Sequence, residues 1–285
     1  MKYGTRWLPF DDSEDLALPV WEREPVNTPV SVQSEGRSHR VTPFLSVQAN
    51  EAICDAELRS AGLLESGPPV DIDRYVFNRF GITPEFEEMA PLGATHFDPE
   101  SGTPRRIILQ KRLVMNESVS KQRRVRATLA HEAGHALLHW PLFRPRVETI
   151  GCTQSLRQLR PTSLDHPASG RCGTPGCFCE HQANVAIGAF LLPLSLFRSA
   201  LAEAEAEFSS GGRAGEAVHS DHRGWHDDVD YYLGDLFDVN PQVVTERRKG
   251  LRRNEPGTPL TNERAAQLLR THWYRALTAD AKTFL

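Results

Sequence analysis

Apolar residues recur along the chain at spacings that change from segment to segment, and those changes mark out its elements. Ala49, Ala52, Ile53 and Ala56 stand three and four residues apart, on one face of a helix, and Pro68-Pro69 closes that segment. Residues 71–80, with Ile72, Tyr75 and Val76, predict a second short helix, and Gly81-Ile82 opens an extended piece. Ile107, Ile108 and Leu109 follow one another in a run too short for a buried helix and rich in β-branched residues. A strand is therefore expected over residues 106–109. Val125, Leu129, Ala133 and Leu137 then repeat at steps of four, which predicts a helix capped by Ser118 or Ser120 and ended by Pro141.

Beyond Pro141 the period is lost until residue 179, in a loop-like stretch of Pro, Gly, Arg and Cys. Residues 180–192 resume a helical pattern through Ala183, Ile187, Phe190 and Leu191, and Pro193 stops it. Residues 200–208 read as its continuation or as a further helix. Residues 209–228 form a Gly, Ser and His-rich break, and two more helical pieces lead to an amphipathic helix near residues 262–277. Residues 1–46 carry Pro9, Pro19, Pro25, Pro29 and Pro43 and no sustained apolar period, so they are expected to be a disordered extension. The implied plan is an α+β core with a small antiparallel or mixed sheet over residues 47–200. A linker and a C-terminal helical region follow over residues 201–285.

Composition narrows the functional classes. With 285 residues, 39% hydrophobic and 25% charged, the chain can bury one medium core or two small ones. A net charge of -4 supplies no overall field toward a nucleic-acid backbone or an anionic membrane, so any such contact must be local. Met1 to Phe10 runs into Asp11, Asp12, Glu14 and Asp15 rather than an apolar stretch, and no run approaches the roughly 18 apolar residues of a spanning helix. A cytoplasmic protein that makes no membrane contact is expected. There, five cysteines are read as metal ligands or free thiols before disulfides.

The candidate chemistry lies in the middle of the long helix, at His131-Glu132-Ala133-Gly134-His135. Residues four apart on a helix point the same way, so His131 and His135 can offer two imidazoles to one ion while Glu132 stands beside it. This is the arrangement of a zinc hydrolase, in which zinc acts as Lewis acid and the carboxylate moves a proton from water to the leaving amine. A shuffled chain of this composition would contain the pattern about 0.03 times, which disfavours coincidence. Gly134 costs the helix about 1 kcal/mol relative to Ala, tolerable where another backbone passes close by. A catalytic zinc takes three protein ligands, and Glu180, at the start of the next strong helix, is the candidate third. Asn184, one turn on, is placed to hydrogen-bond the free nitrogen of a ligating histidine.

Residues 127–139 (ATLAHEAGHALLH), Glu180-His181-Gln182-Ala183-Asn184 and Leu191-Leu192-Pro193 together resemble the ImmA/IrrE metallopeptidase family. The similarity spans roughly residues 47–195 and includes Leu92-Gly93-Ala94-Thr95 and the strand at Ile107. It implies a zincin-like core of gluzincin type, with His131, His135 and Glu180 as zinc ligands and Glu132 as general base. It also implies a protein substrate, a helix-turn-helix repressor, cut to release genes of a mobile element or a stress response. The loop between the two motifs is longer than is usual in that family and carries a cysteine cluster the family generally lacks. Phe190-Leu191-Leu192-Pro193 replaces a more usual leucine-methionine ending.

Other features leave alternatives open. Cys152, Cys172, Cys177 and Cys179 match the ligand count of a second, structural zinc, with His166 as a substitute, but their spacing is irregular and suits free thiols as well. Residues 233–251 resemble a helix-turn-helix with its turn at Asn240-Pro241, followed by Arg247, Arg248, Lys249, Arg252 and Arg253 as candidate phosphate contacts. Small packing helices with a solvated basic face are the preferred reading of that segment, so DNA contact is not favoured. Asp238 falls where a turn glycine is expected. His139, Tyr231 and Tyr232 are candidate transition-state donors, and an extended substrate is expected along the strand at Ile107. A competing reading is a DNA-binding regulator with a structural or vestigial metal site. A third is an interaction module that recruits its partner through residues 1–46.

Overall fold

A computed structural model describes residues 33–34, 37–38, 44–98, 101–115, 118–143, 178–209, 228–253 and 261–278. Most of the N-terminal extension therefore lies outside the described residues, apart from a two-stranded pairing of β1 (Gln33–Ser34) with β2 (Arg37–Ser38).

The first two helices form where capping chemistry and apolar spacing agree. In α1 (Val47–Ser60) the Ser46 hydroxyl accepts from the Ala49 N–H, and Ile53, Cys54, Ala56 and Leu58 are buried. In α2 (Ile72–Phe80) the Asp71 carboxylate accepts from the Arg74 N–H, and Gly81, at φ 70°, ends the helix in the left-handed conformation that glycine adopts without strain. The strands β3 (Glu85–Glu87), β4 (Gly93–Phe97) and β5 (Pro104–Gln110) form one mixed sheet in the order β3-β5-β4. β5 runs parallel to β3 and antiparallel to β4. Its central place explains the unbroken run Ile107, Ile108 and Leu109, all buried. It also leaves little room for the expected substrate path, because β4 pairs along β5 and β3 takes the other edge over residues 108–110.

The long helix α3 (Val119–Leu138) starts at Ser118 and has its buried residues concentrated from Thr128 onward. A short 3-10 turn, Trp140–Phe143, follows it. α4 (Cys179–Leu191) packs along α3, and α5 (Leu194–Ser209) begins after Pro193 as a separate helix, so residues 200–208 do not continue α4. Among the described residues no single helix is long and apolar enough to cross a membrane; α4 and α5 meet those criteria only as a pair bent by 63°.

α3 and α4 pass close to one another at Gly134. A Cβ there would stand 2.7 Å from the Ala186 Cβ and 3.3 Å from the Ala183 Cα. The glycine expected to admit a neighbouring backbone does so, and Ala183 and Ala186 complete the contact. The two helices that carry the candidate ligands are thus held together by small residues.

The remaining helices, α6 (Asp228–Leu236), α7 (Pro241–Arg253) and α8 (Asn262–Thr278), share the same hydrophobic cluster through Val229, Leu233, Phe237, Val244 and Leu269. Asp238, between α6 and α7, has φ 51°, the conformation for which a glycine is usual. Arginines of α3 hold it there. Arg123 Nε donates to Asp238 Oδ1 at 3.1 Å and its Nη2 to Asp235 Oδ1 at 2.7 Å, while Arg126 Nε donates to the Asp238 carbonyl at 3.1 Å. On α8, Trp273 Nε1 donates to the Leu137 carbonyl at 2.9 Å, which ties the C-terminal helix to the end of α3.

Candidate metal centre

The four-residue step on α3 brings His131 Nε2 to 3.0 Å from His135 Nε2. Glu180, in the first turn of α4, closes the group with Oε2 3.4 Å from His131 Nε2 and Oε1 3.4 Å from His135 Nε2. Ligands about 2.0–2.1 Å from a tetrahedral zinc stand about 3.3 Å from one another, so these separations suit three corners of such a site. Among the described residues this is the one group of three His, Cys, Asp or Glu side chains whose ligand atoms all lie within 4.8 Å of one another.

Electrostatics points the same way. Glu180 is only 6% exposed, and its Oε1 makes no hydrogen bond. A buried carboxylate oxygen left so is costly unless a cation completes it. Burial works against a charged His131 ring, but hydrogen bonding to Glu180 and the charges of Glu132 and Glu180 outweigh it and hold the imidazole above its ordinary pKa. The surroundings of His131 therefore favour positive charge. Asn184 hydrogen-bonds the His131 ring from one turn further along α4, as its position in the sequence suggests.

Glu132 lies beside the group on the β4 side. Thr95 Oγ1 stands 2.7 Å from Glu132 Oε2 and 3.1 Å from its main-chain carbonyl oxygen. Gly93, two residues earlier on β4, makes room for the carboxylate, since a Cβ there would come within 2.6 Å of Oε1 and 2.8 Å of Thr128 Cγ2. Burial pushes the Glu132 carboxyl above the ordinary glutamate range, while the charge of His131 and the Thr95 hydrogen bond draw it back. A base that is buried, oriented and raised in pKa is suited to proton transfer near neutral pH. Nothing in the sequence assigns Gly93 and Thr95 a role, because their relation to Glu132 exists only once β4 lies against α3.

His139 is placed differently from its expected role as a donor to a transition state. It is 1% exposed, with Nδ1 3.0 Å from His135 Nδ1 and Nε2 3.0 Å from Gln182 Oε1. It sits behind the metal-facing edge of His135. Tyr232 packs its ring against Phe208, with centroids 6.0 Å apart. Gln182 stands in the second motif, two residues after Glu180, but nothing in the sequence assigns it a partner.

The candidate DNA contacts are corrected in the same way. Arg247 is 8% exposed, ion-pairs with Glu51 through Nη1 and donates from Nε to the Leu192 carbonyl at 3.2 Å. Arg248 Nη1 donates to Asp230 Oδ1 at 2.7 Å, with the side chain largely covered. These guanidinium groups fasten α7 to α1, the end of α4 and α6. Lys249 is exposed, with Nζ 2.8 Å from Glu246 Oε1. Of the cysteine cluster, Cys179 is the first residue of α4 and is buried, whereas Cys152, Cys172 and Cys177, like His166, lie outside the described residues.

Comparisons of the chain with protein-family models, with curated proteins and with solved structures give no match.

Proposed function

We propose that this protein is a zinc-dependent endopeptidase with a zincin-like core, in which His131, His135 and Glu180 hold the metal and Glu132 is the general base. The observation that carries the reading is the convergence of two imidazole nitrogens and a buried carboxylate, 3.0 and 3.4 Å apart, whose Oε1 makes no hydrogen bond, with a second carboxylate oriented beside them. When bound, zinc supplies Lewis acidity and lowers the pKa of water to about 7. The donor set of two nitrogens and one carboxylate also suits manganese.

The residues of the chain divide the remaining work. Glu132, aimed by Thr95 and given room by Gly93, takes a proton from the attacking water and delivers it to the leaving amine. β4 brings both supports, and no strand pairs with its outer edge among the described residues. An extended peptide adding there would run past Glu132, so the substrate path moves from β5 to β4, and main-chain hydrogen bonds would supply grip with little sequence preference. The resemblance to the ImmA/IrrE family supports a cytoplasmic helix-turn-helix repressor as the substrate. A second, structural zinc at the cysteine cluster belongs to the same proposal.

Co-expression with a candidate helix-turn-helix repressor tests the reading. Glu132→Gln should keep zinc and lose cleavage by about 10²–10⁴-fold. Undiminished cleavage by that variant would show that proteolysis does not run through this site. The regulator reading has no comparable support, since Arg247 and Arg248 are engaged inside the fold.

A further inference from the structure

Behind His135 runs a line of buried polar groups that the peptidase reading does not use. His135 Nδ1 is 3.0 Å from His139 Nδ1, and His139 Nε2 is 3.0 Å from Gln182 Oε1. Their residues are 3%, 1% and 0% exposed. We infer that His139 and Gln182 are positioning residues that fix the proton of His135 on Nδ1 and so keep its Nε2 bare toward the metal.

The argument follows single protons. Two ring nitrogens 3.0 Å apart make a hydrogen bond only if one carries a proton and the other does not. If His135 Nδ1–H donates, His139 Nδ1 is bare, and a neutral His139 then carries its proton on Nε2. That nitrogen faces Gln182 Oε1, which can only accept. Both of these contacts are satisfied in this direction. The reverse direction puts the His135 proton on Nε2, facing His131 Nε2 and Glu180, and removes the lone pair that would bind metal. Against Gln182 Oε1, the reverse also leaves two acceptors facing each other in a buried site, which costs about 1–3 kcal/mol.

Gln182 is itself held in place. Its carbonyl accepts from Asn50 Nδ2 of α1 at 2.8 Å, and its N–H donates to the Phe178 carbonyl at 2.9 Å. It stands on the same helix as Glu180 and Asn184, so α4 supplies the third ligand and also the groups that orient both histidines. A hydrogen-bonded partner on the distal nitrogen raises a ligand's basicity, and its loss typically costs about 10–100-fold in metal affinity.

The inference rests on the metal reading, and the test separates the two. Zinc dissociation constants are measured at one pH by competition with a chromophoric chelator for wild type, His139→Leu and His139→Asn. Leucine fills the space without accepting a hydrogen bond, whereas the asparagine oxygen stands where Nδ1 stood. The expected result is a 10–100-fold loss for His139→Leu, roughly the size of other such losses, and recovery of most of it in His139→Asn. Unchanged affinity in His139→Leu, or an equal loss in both variants, overturns the relay and leaves the metal site standing. A wild-type chain that takes no zinc overturns both. Should His139→Leu not fold, ¹⁵N ring spectra of the zinc-loaded wild type decide: His139 must be the Nε2–H tautomer, and an Nδ1–H signal from it overturns the relay.

Discussion

A methyl group added at Gly134 sets helix propensity against helix packing. Alanine is favoured over glycine inside a helix by about 1 kcal/mol, so on α3 alone Gly134→Ala should stabilise. In the folded chain the new Cβ would lie 2.7 Å from the Ala186 Cβ, where carbon atoms normally sit about 3.5–4.0 Å apart. The helices must part or slide by about 1 Å, and such overpacking costs about 1–3 kcal/mol. The net effect on the metal-free protein is a loss of about 0–2 kcal/mol, which at roughly 2–4 °C per kcal/mol is a modest fall in Tm. Metal binding should suffer more. His131 and His135 ride on α3 and Glu180 on α4, and ligand distances tolerate only about 0.2 Å, so zinc affinity should fall on the order of tenfold or more. Thermal unfolding without metal and chelator competition with zinc measure the two effects. Ala186→Gly added to Gly134→Ala should restore both, since it removes the opposing methyl. A Gly134→Ala protein that is more stable than wild type without metal and binds zinc equally well would refute the reasoning.

Other positions give sharper separations of role. Gly93→Ala drives a Cβ to 2.6 Å from Glu132 Oε1, so cleavage of the co-expressed repressor should fall by about 10²-fold while zinc content stays at the wild-type value. Thr95→Val removes a hydrogen bond that holds the Glu132 carboxyl down, so its pKa rises further. Because the base must be ionised, the acid limb of the pH–rate profile should then move to higher pH, and an unmoved limb would show that Glu132 is not the titrating base. Arg247→Ala leaves Glu51 without its partner in a largely buried site, and urea unfolding should show a loss of about 3–5 kcal/mol. A stability within about 0.5 kcal/mol of wild type, as for a surface position, would contradict the structural role assigned to this arginine.

How far the residues themselves foretold this arrangement depends on the distance over which each signal acts. The helices around the motif were legible because their apolar steps and the Pro193 stop are local. Histidines at 131 and 135 fell on one face for the same reason, and Gly134 was readable as a close approach before its neighbours were known. Glu180 was a candidate from its place at the start of the next strong helix, but its meeting with α3 depends on the contact of Gly134 with Ala183 and Ala186, which no local signal shows. Strand order was not legible. The run Ile107 to Leu109 signals a buried strand but not which strands flank it, so it could not show that β4 is the edge strand. Arg247 illustrates the converse error: a basic run looks solvated in sequence, yet Glu51, nearly two hundred residues earlier, draws this one arginine into the interior. His139, a candidate transition-state donor in the sequence, is engaged behind His135 instead, and only α4, through Gln182, shows where its second nitrogen points.

The central claim is that two residues of α3 and one of α4 share an ion. Metal content of the purified full-length chain, measured for wild type, His131→Ala, His135→Ala and Glu180→Ala with each shown to be folded, tests it most directly. The account predicts that each variant loses one equivalent of tightly held zinc relative to wild type, whatever the cysteines hold. A folded wild-type chain that retains no metal, or a Glu180→Ala chain that retains all of it, would contradict the account.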